Sequence, residues 1–341
     1  MKTAHYDYLD GWRGLAILLL LWGHFFPVPG INLGSLGVQL FFVLSGLLMG
    51  RLLFIRKVEL PQFYRRRISR IFPAFFVFLA CVVLWHLISG REINWKEVIA
   101  ASTFTTNYFM EIPAQTKMPF GHIWSLSVEE HSYILLSLLA LLSRSKVISA
   151  GRSVLFFTLC MALIAVAYKV THEGPGLGFK MAHTEVAAVG IFLSVSILLF
   201  FSDRKVPSLK FPVFAGVVMI GVMFNWWSVP VPLGLLGSFT MLALAINVLG
   251  NGPGLAQRIL SFYPLRQLGL WSYSLYLWQQ PFFIAVHYAG LSPAVGVALG
   301  LACGIASYYL VEKPARLYLN RRWDKTEELN TAELSVTTVK P

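Results

Sequence analysis

Apolar stretches long enough to cross a bilayer recur at about 13–28, 34–54, 70–89, 122–142, 153–171, 183–201, 211–227, 231–249, 269–289 and 293–311. A helix rises about 1.5 Å per residue and a hydrocarbon core is about 30 Å thick, so roughly twenty apolar residues make one crossing. Ten such stretches in 341 residues leave little chain for a soluble domain. Composition agrees, with 56% of residues hydrophobic and 13% charged, where a soluble domain carries about 25% charged residues. The expected fold class is all-α: a polytopic helical membrane protein of about ten transmembrane helices.

A shorter run at about 95–109 contains Thr103, Thr105, Thr106 and Asn107, and charge decides its status. With ten spans and a cytoplasmic N-terminus, 23 Lys and Arg face the cytoplasm and five (Arg91, Lys96, Lys117, Lys169, Lys180) face outward. That asymmetry obeys the positive-inside rule. An eleventh span would invert every later loop, so 95–109 is expected to re-enter or to lie at the outer interface. Both termini are then cytoplasmic. The net charge of +12 is a record of topology, not a nucleic-acid footprint. The expected location is the cytoplasmic (inner) membrane, multi-pass and in contact with lipid. No small-x-small cleavage site follows the first apolar run, so it reads as an uncleaved span. Residues 1–320 form one membrane domain, and 321–341 read as a polar, disordered cytoplasmic tail. Cys81, Cys160 and Cys303 lie in apolar runs and read as packing residues, not as a disulfide framework.

A charged group at mid-bilayer costs about 2.5–3.5 kcal/mol on insertion scales, so each one calls for a reason. Arg13 and His24 bracket the first apolar run. Eleven positions is three helical turns plus about 20°, which places them on one face roughly 16 Å apart. In His122–Tyr133, helical spacing puts His122, Ser125, Glu129 and Tyr133 near one face. An imidazole beside a carboxylate is suited to general base catalysis, so Glu129 is expected to orient His24. Ser45, His183, Glu185 and Gln279-Gln280 are further polar groups within the spans. At the cytoplasmic entrance, Phe63–Pro73 concentrates arginines. Topogenic charge explains Arg65 and Arg66, while Arg67 and Arg70, with Arg13 at the same surface, suit a phosphate-bearing ligand.

Six motifs in order then resemble one family, the acyltransferase-3 integral membrane acyltransferases. They are Arg13 with His24, the FFVLSG-type Phe41–Leu47, the FYRRR-type Phe63–Pro73, the WSLSxEExxY-type Trp124–Tyr133, SYSLYLW at Ser272–Trp278 and the VEKP-type Val311–Pro314. The resemblance covers about 1–320. It implies transfer of an acyl group, usually acetyl, from cytoplasmic acyl-CoA to a hydroxyl of a glycan, polysaccharide or lipid-linked sugar. His24, Glu129 and Arg13 would be the catalytic set, and Arg67, Arg70 and Arg13 would bind the acyl-CoA donor. Ser45, Trp124, Glu130, Tyr133, Glu185 and Tyr276 are substrate-site candidates. No metal and no permanently bound cofactor are assigned.

Two positions depart from the family pattern. Gln279 follows SYSLYLW where many members have His, and an amide takes no proton at neutral pH, so it receives no acid–base role. His183-Thr184-Glu185 stands where members often carry Arg-x-Asp, which leaves the acceptor class open. No fused SGNH-type domain is recognised, so the chain acts alone or a separate extracytoplasmic protein completes the transfer. The rival reading is a transporter or flippase of a lipid-linked or acylated molecule, which inverted repeats would favour. None is visible.

Overall fold

The computed structural model describes residues 6–109, 118–171 and 181–323. These residues form helices α1 (Asp7–Phe25), α2 (Leu33–Gly50), α3 (Leu60–Ile88), α4 (Trp95–Ser102), α5 (Trp124–Arg144) and α6 (Ala150–Thr171). They continue as α7 (Thr184–Ala187), α8 (Val189–Ser202), α9 (Phe211–Met223), α10 (Val231–Val248), α11 (Gly254–Leu260), α12 (Tyr263–Ala289) and α13 (Pro293–Ser307). No strand occurs among the described residues. Two π-helical turns interrupt the pattern. One, Arg51–Ile55, extends α2, and the other, Tyr308–Glu312, lies between α13 and a last helical stretch that reaches Trp323. The tail beyond 323 and Lys117 lie outside the described residues.

Among the described residues, seven helical segments are long and apolar enough to cross a membrane: Leu33–Ile55, Leu60–Ile88, Gly121–Arg144, Ala150–Thr171, Thr184–Ser202, Val231–Asn251 and Pro293–Trp323. The other three expected stretches are also helical. Of these, α9 has only 13 residues, α1 carries Asp7, Asp10 and Arg13, and α12 carries Arg266, Gln267, Gln279, Gln280 and His287. The 95–109 segment is not one helix. Asn94 caps α4 by accepting from the Lys96 amide at 3.2 Å, and eight residues later the helix stops. At about 12 Å such a helix cannot cross a hydrocarbon core.

One boundary moved inward along the chain. The helix expected from 70 begins at Leu60, so the FYRRR stretch is helical. Pro61 presets the first turn, and arginine is a good helix former, whereas hydropathy marks only the part of a helix that meets lipid.

The position of α1 rests on glycines. A Cβ on Gly269 of α12 would lie 1.8 Å from the Asp10 carbonyl oxygen, and one on Gly14 would lie 1.9 Å from that of Leu265. On the other side of α1, a Cβ on Gly37 of α2 would lie 2.6 Å from the Ala16 oxygen, and one on Gly23 would lie 2.3 Å from the Gly34 nitrogen. Backbones touch directly at these crossings, the small-residue mode by which helices associate in lipid. Trp12 pins the contact by donating its indole N–H to the Leu40 carbonyl at 3.0 Å. Gly269→Val is therefore expected to cost about 3 kcal/mol or more, because backbone cannot move aside as a side chain can. Gly216 of α9 has open space at its Cβ, so Gly216→Ala should leave stability unchanged or raise it by up to about 1 kcal/mol. Thermal unfolding of the two variants in detergent checks the contrast; equal behaviour would contradict the packing.

Candidate active site

Helices α1, α2, α3, α5, α12 and the helix after the second π turn enclose a cavity of about 520 Å³. Its basic end carries Arg13, Arg66, Arg67, Arg70, Arg316 and Asn320. Its inner part is lined by Ser45, Glu129, Tyr133 and Tyr276, with Val38, Phe41, Leu44 and Leu126 as apolar walls. Among the sequence candidates, the fold thus gathers Arg13, Arg67, Arg70, Ser45, Glu129, Tyr133 and Tyr276. His24, Trp124, Glu130 and Glu185 do not line the cavity.

The arginines are held differently. Arg13 pairs with Asp10 one turn earlier on α1, at 2.9 Å. Arg67 is committed to protein partners: it donates to Glu130 Oε1 at 2.5 Å, and its guanidinium lies 3.5 Å from the centre of the Tyr133 ring. That planar fork, locked on a carboxylate and an aromatic face, makes Arg67 a wall of the cavity rather than a ready phosphate ligand. Sequence reasoning missed Arg316 and Glu312, and it assigned Arg66 to topogenic charge although that side chain lines the cavity. Glu312 sits in the π turn, 1% exposed, and accepts from the Ser274 hydroxyl at 2.7 Å. Arg70, Arg316 and Arg13 supply the positive field around it. The VEKP-type motif marked Glu312 only as the end of a pattern; a carboxylate directly after an apolar span was the available signal.

Glu129 does not meet His24. Its carboxylate accepts from Ser45 at 3.1 Å and from Tyr133 at 2.8 Å. The expected imidazole–carboxylate pair is therefore absent in this structure: the Glu129 carboxylate is taken up by a hydroxyl of α2 and by one on its own helix. Ser125, Glu129 and Tyr133 do share the cavity face. His122 leaves it, since Gly121–Ile123 is a 3₁₀ turn and its tighter winding breaks the α-helical register. The His122 ring packs between Phe78 and Tyr276. Trp124 packs edge-on against Phe42. Glu185 belongs to a separate polar cluster, accepting from Tyr168 at 2.8 Å and Tyr108 at 3.0 Å, with His183 at 3.2 Å.

His24 lies near the far end of α1. Its Nδ1 is 2.9 Å from Gln279 Oε1, and the Phe283 ring stands 4.8 Å away. Its Nε2 edge faces Gly34, where a Cβ would come within 3.3 Å of Nε2. Gln279 is fully buried and donates through Nε2 to Gln280 Oε1 at 3.1 Å. Pro281 follows inside α12; it has no N–H for the Leu277 carbonyl, which loosens the helix at this point. Val38, Phe41, Leu126 and Tyr276 belong both to the cavity wall and to the apolar cluster containing Phe25, so they form a layer between the cavity and His24. Tyr276 is anchored there by Ser125 at 2.6 Å and by a short hydrogen bond to the His122 carbonyl.

A family model described as an acyltransferase domain, of the acyltransferase-3 group, matches residues 6–312. O-acetyltransferase OatA of Staphylococcus aureus is 28% identical over 348 aligned residues, covering 90% of this chain and 57% of that protein. The putative peptidoglycan O-acetyltransferase YrhL of Bacillus subtilis is 26% identical, covering 92% of this chain and 56% of YrhL. The putative membrane-bound transacylase BcsY of Komagataeibacter xylinus is 27% identical, covering 92% and 83% respectively. The chain thus spans just over half the length of the first two relatives. No solved structure matches it.

The Arg67–Glu130 pair is mostly shielded, its side chains 13% and 18% exposed. Glu130→Ala would strand a buried guanidinium, at an expected cost on the order of 3 kcal/mol. Glu130→Gln, which keeps an acceptor, should cost less than half of that. Thermal unfolding in detergent separates the two; equal small losses would mean that the pair is solvated.

Proposed function

In a chain that belongs to the acyltransferase-3 family, we propose that the arginine-mouthed cavity receives acyl-CoA, with acetyl as the acyl group, for transfer to a glycan hydroxyl. The protein is then an O-acyltransferase of the cytoplasmic membrane, with about ten spans and both termini cytoplasmic. Helix positions at all ten expected stretches support that topology, as does the eight-residue length of α4. The relatives' names, O-acetyltransferase and peptidoglycan O-acetyltransferase, favour acetyl and a cell-wall or polysaccharide acceptor. A separate extracytoplasmic protein that takes the acyl group onward fits the same scheme.

The observation that carries the proposal is the polarity of the cavity. One end has five arginines, of which Arg66, Arg70 and Arg316 suit the phosphates of a CoA, and the interior narrows to hydroxyls, a carboxylate and apolar walls. Arg66, Arg70 and Arg316 take the phosphates, while Arg67 shapes the wall. The pantetheine arm, with its amides, runs past Ser45 and Tyr276, and the acyl end reaches the layer beneath His24. The acceptor approaches His24 from the opposite side. Nε2 removes the hydroxyl proton as the oxygen bonds to the thioester carbonyl carbon; the carbon–sulfur bond then breaks and the departing thiolate recovers a proton. Glu129 keeps Ser45 and Tyr133 in place and acts on the donor side rather than on the imidazole.

Purified protein in liposomes, given labelled acetyl-CoA and candidate glycans, should form acetylated product detectable by mass spectrometry. His24→Gln keeps size and hydrogen bonding but not basicity, and should lose on the order of 10²–10⁴ in rate. Wild-type turnover at matched abundance would remove His24 from the chemistry. Arg70→Ala and Arg316→Ala should raise KM for acetyl-CoA while kcat changes little, because phosphate contacts act equally in ground and transition states. An unchanged KM in both would leave the arginines as topological charge.

A further inference from the structure

We propose that Gln279 is a positioning residue: its side-chain carbonyl accepts the Nδ1 proton of His24 and so leaves Nε2 as the unprotonated, reactive nitrogen. The inference rests on the reading of His24 as the base. A neutral imidazole carries one N–H, and which nitrogen bears it follows from the partner of the other. Three observations determine that choice here. Nδ1 stands 2.9 Å from Oε1 of Gln279. The amide is oriented by its neighbour, because Nε2 of Gln279 donates to Gln280 Oε1 at 3.1 Å, which reserves Oε1 for the imidazole. The opposite edge of the ring, Cδ2 and Nε2, is left open by Gly34, where a Cβ would come within 3.1 Å of Cδ2. Among the described residues, Nε2 has no hydrogen bond of its own.

The site is built to hold this arrangement. Gln279 is fully buried, and the Phe283 ring lies tilted beside the imidazole at 4.8 Å. Removing the acceptor would leave a buried N–H unpaired and let the ring turn or change tautomer. An amide, unlike a carboxylate, brings no charge to stabilise the imidazolium. Other titratable groups around His24 are few. His287 of α12 and His122 of the 3₁₀ turn are the electrostatic neighbours. The facing parts of α2 (residues 33–40) and α13 (residues 293–300) contain no titratable residue. Both histidines are common to wild type and variants, so they do not enter the difference.

The test compares Gln279→Glu and Gln279→Met with wild type in liposomes, reading acetyl transfer across pH, with His24→Gln measured in parallel. Glutamate keeps the acceptor and adds charge. It should retain activity and move the rising limb of kcat/KM to higher pH by about one unit or more, because a carboxylate stabilises the imidazolium and the free base appears later. Methionine keeps the volume and loses the acceptor; kcat should fall on the order of tenfold with KM for acetyl-CoA unchanged. An unmoved limb in the Glu variant overturns the inference, as does activity kept by Met and lost by Glu. If the Glu variant does not accumulate, a wild-type kcat in the Met variant overturns it instead. If His24→Gln remains fully active, the base assignment falls and this inference falls with it. If His24→Gln is inactive while the Gln279 variants behave as wild type, only the present inference is lost.

Discussion

Direct backbone contact along α1 is the constraint on which the rest of the structure depends. Glycines at 14, 23, 37 and 269 remove the side chains that would otherwise separate α1 from α2 and α12. Lipid gives two apolar helices no hydrophobic reason to associate, so close approach and its dispersion contacts supply the attraction. Once α1 is gripped on both sides, the rest of its geometry follows. Arg13 sits at one end beside α3 and the second π turn, and His24 sits at the other beside α12. A helix held this closely cannot rotate by even one residue without moving both ends of the site.

The two polar ends have different architectures for a physical reason. At the basic end, several like charges are kept near one another by carboxylates placed between them: Asp10 beside Arg13, Glu130 beside Arg67, and Glu312 among Arg13, Arg70 and Arg316. Such a cluster is unstable without its counter-charges, and it still leaves net positive charge at the cavity mouth. At the other end there is no charge to balance. An uncharged amide, a glycine and an aromatic ring define the imidazole's setting, and the helix carrying the amide is already loosened by Pro281.

The helices were legible because a bilayer imposes length: stretches of about twenty apolar residues leave few alternatives. Charge argued against a crossing at 95–109, and α4 has only eight residues. Helix starts were less so. The onset of α3 at Leu60 lies among arginines, which helix propensity allows and hydropathy hides. Within the site, spacing brought Ser125, Glu129 and Tyr133 together because all three lie on one regular helix. It could not say whether Glu129 meets His24, since spacing along one helix carries no information on how that helix sits against another. Gln279 was passed over for a related reason. It was judged by what it can titrate, whereas its contact with His24 depends on where its carbonyl points.

The layer of Val38, Phe41, Leu126 and Tyr276 has a consequence for the membrane as a whole. On the proposed topology, the cavity fills with water from the cytoplasm and His24 is reached from the other side. A histidine touching both compartments would pass protons, and an energised membrane would lose its gradient through every copy of the protein. Four side chains with no titratable group except a phenol, itself tied to Ser125, interrupt that route. On the proposed direction of transfer, such a layer would let an acyl group reach the acceptor side without opening a proton path between the compartments.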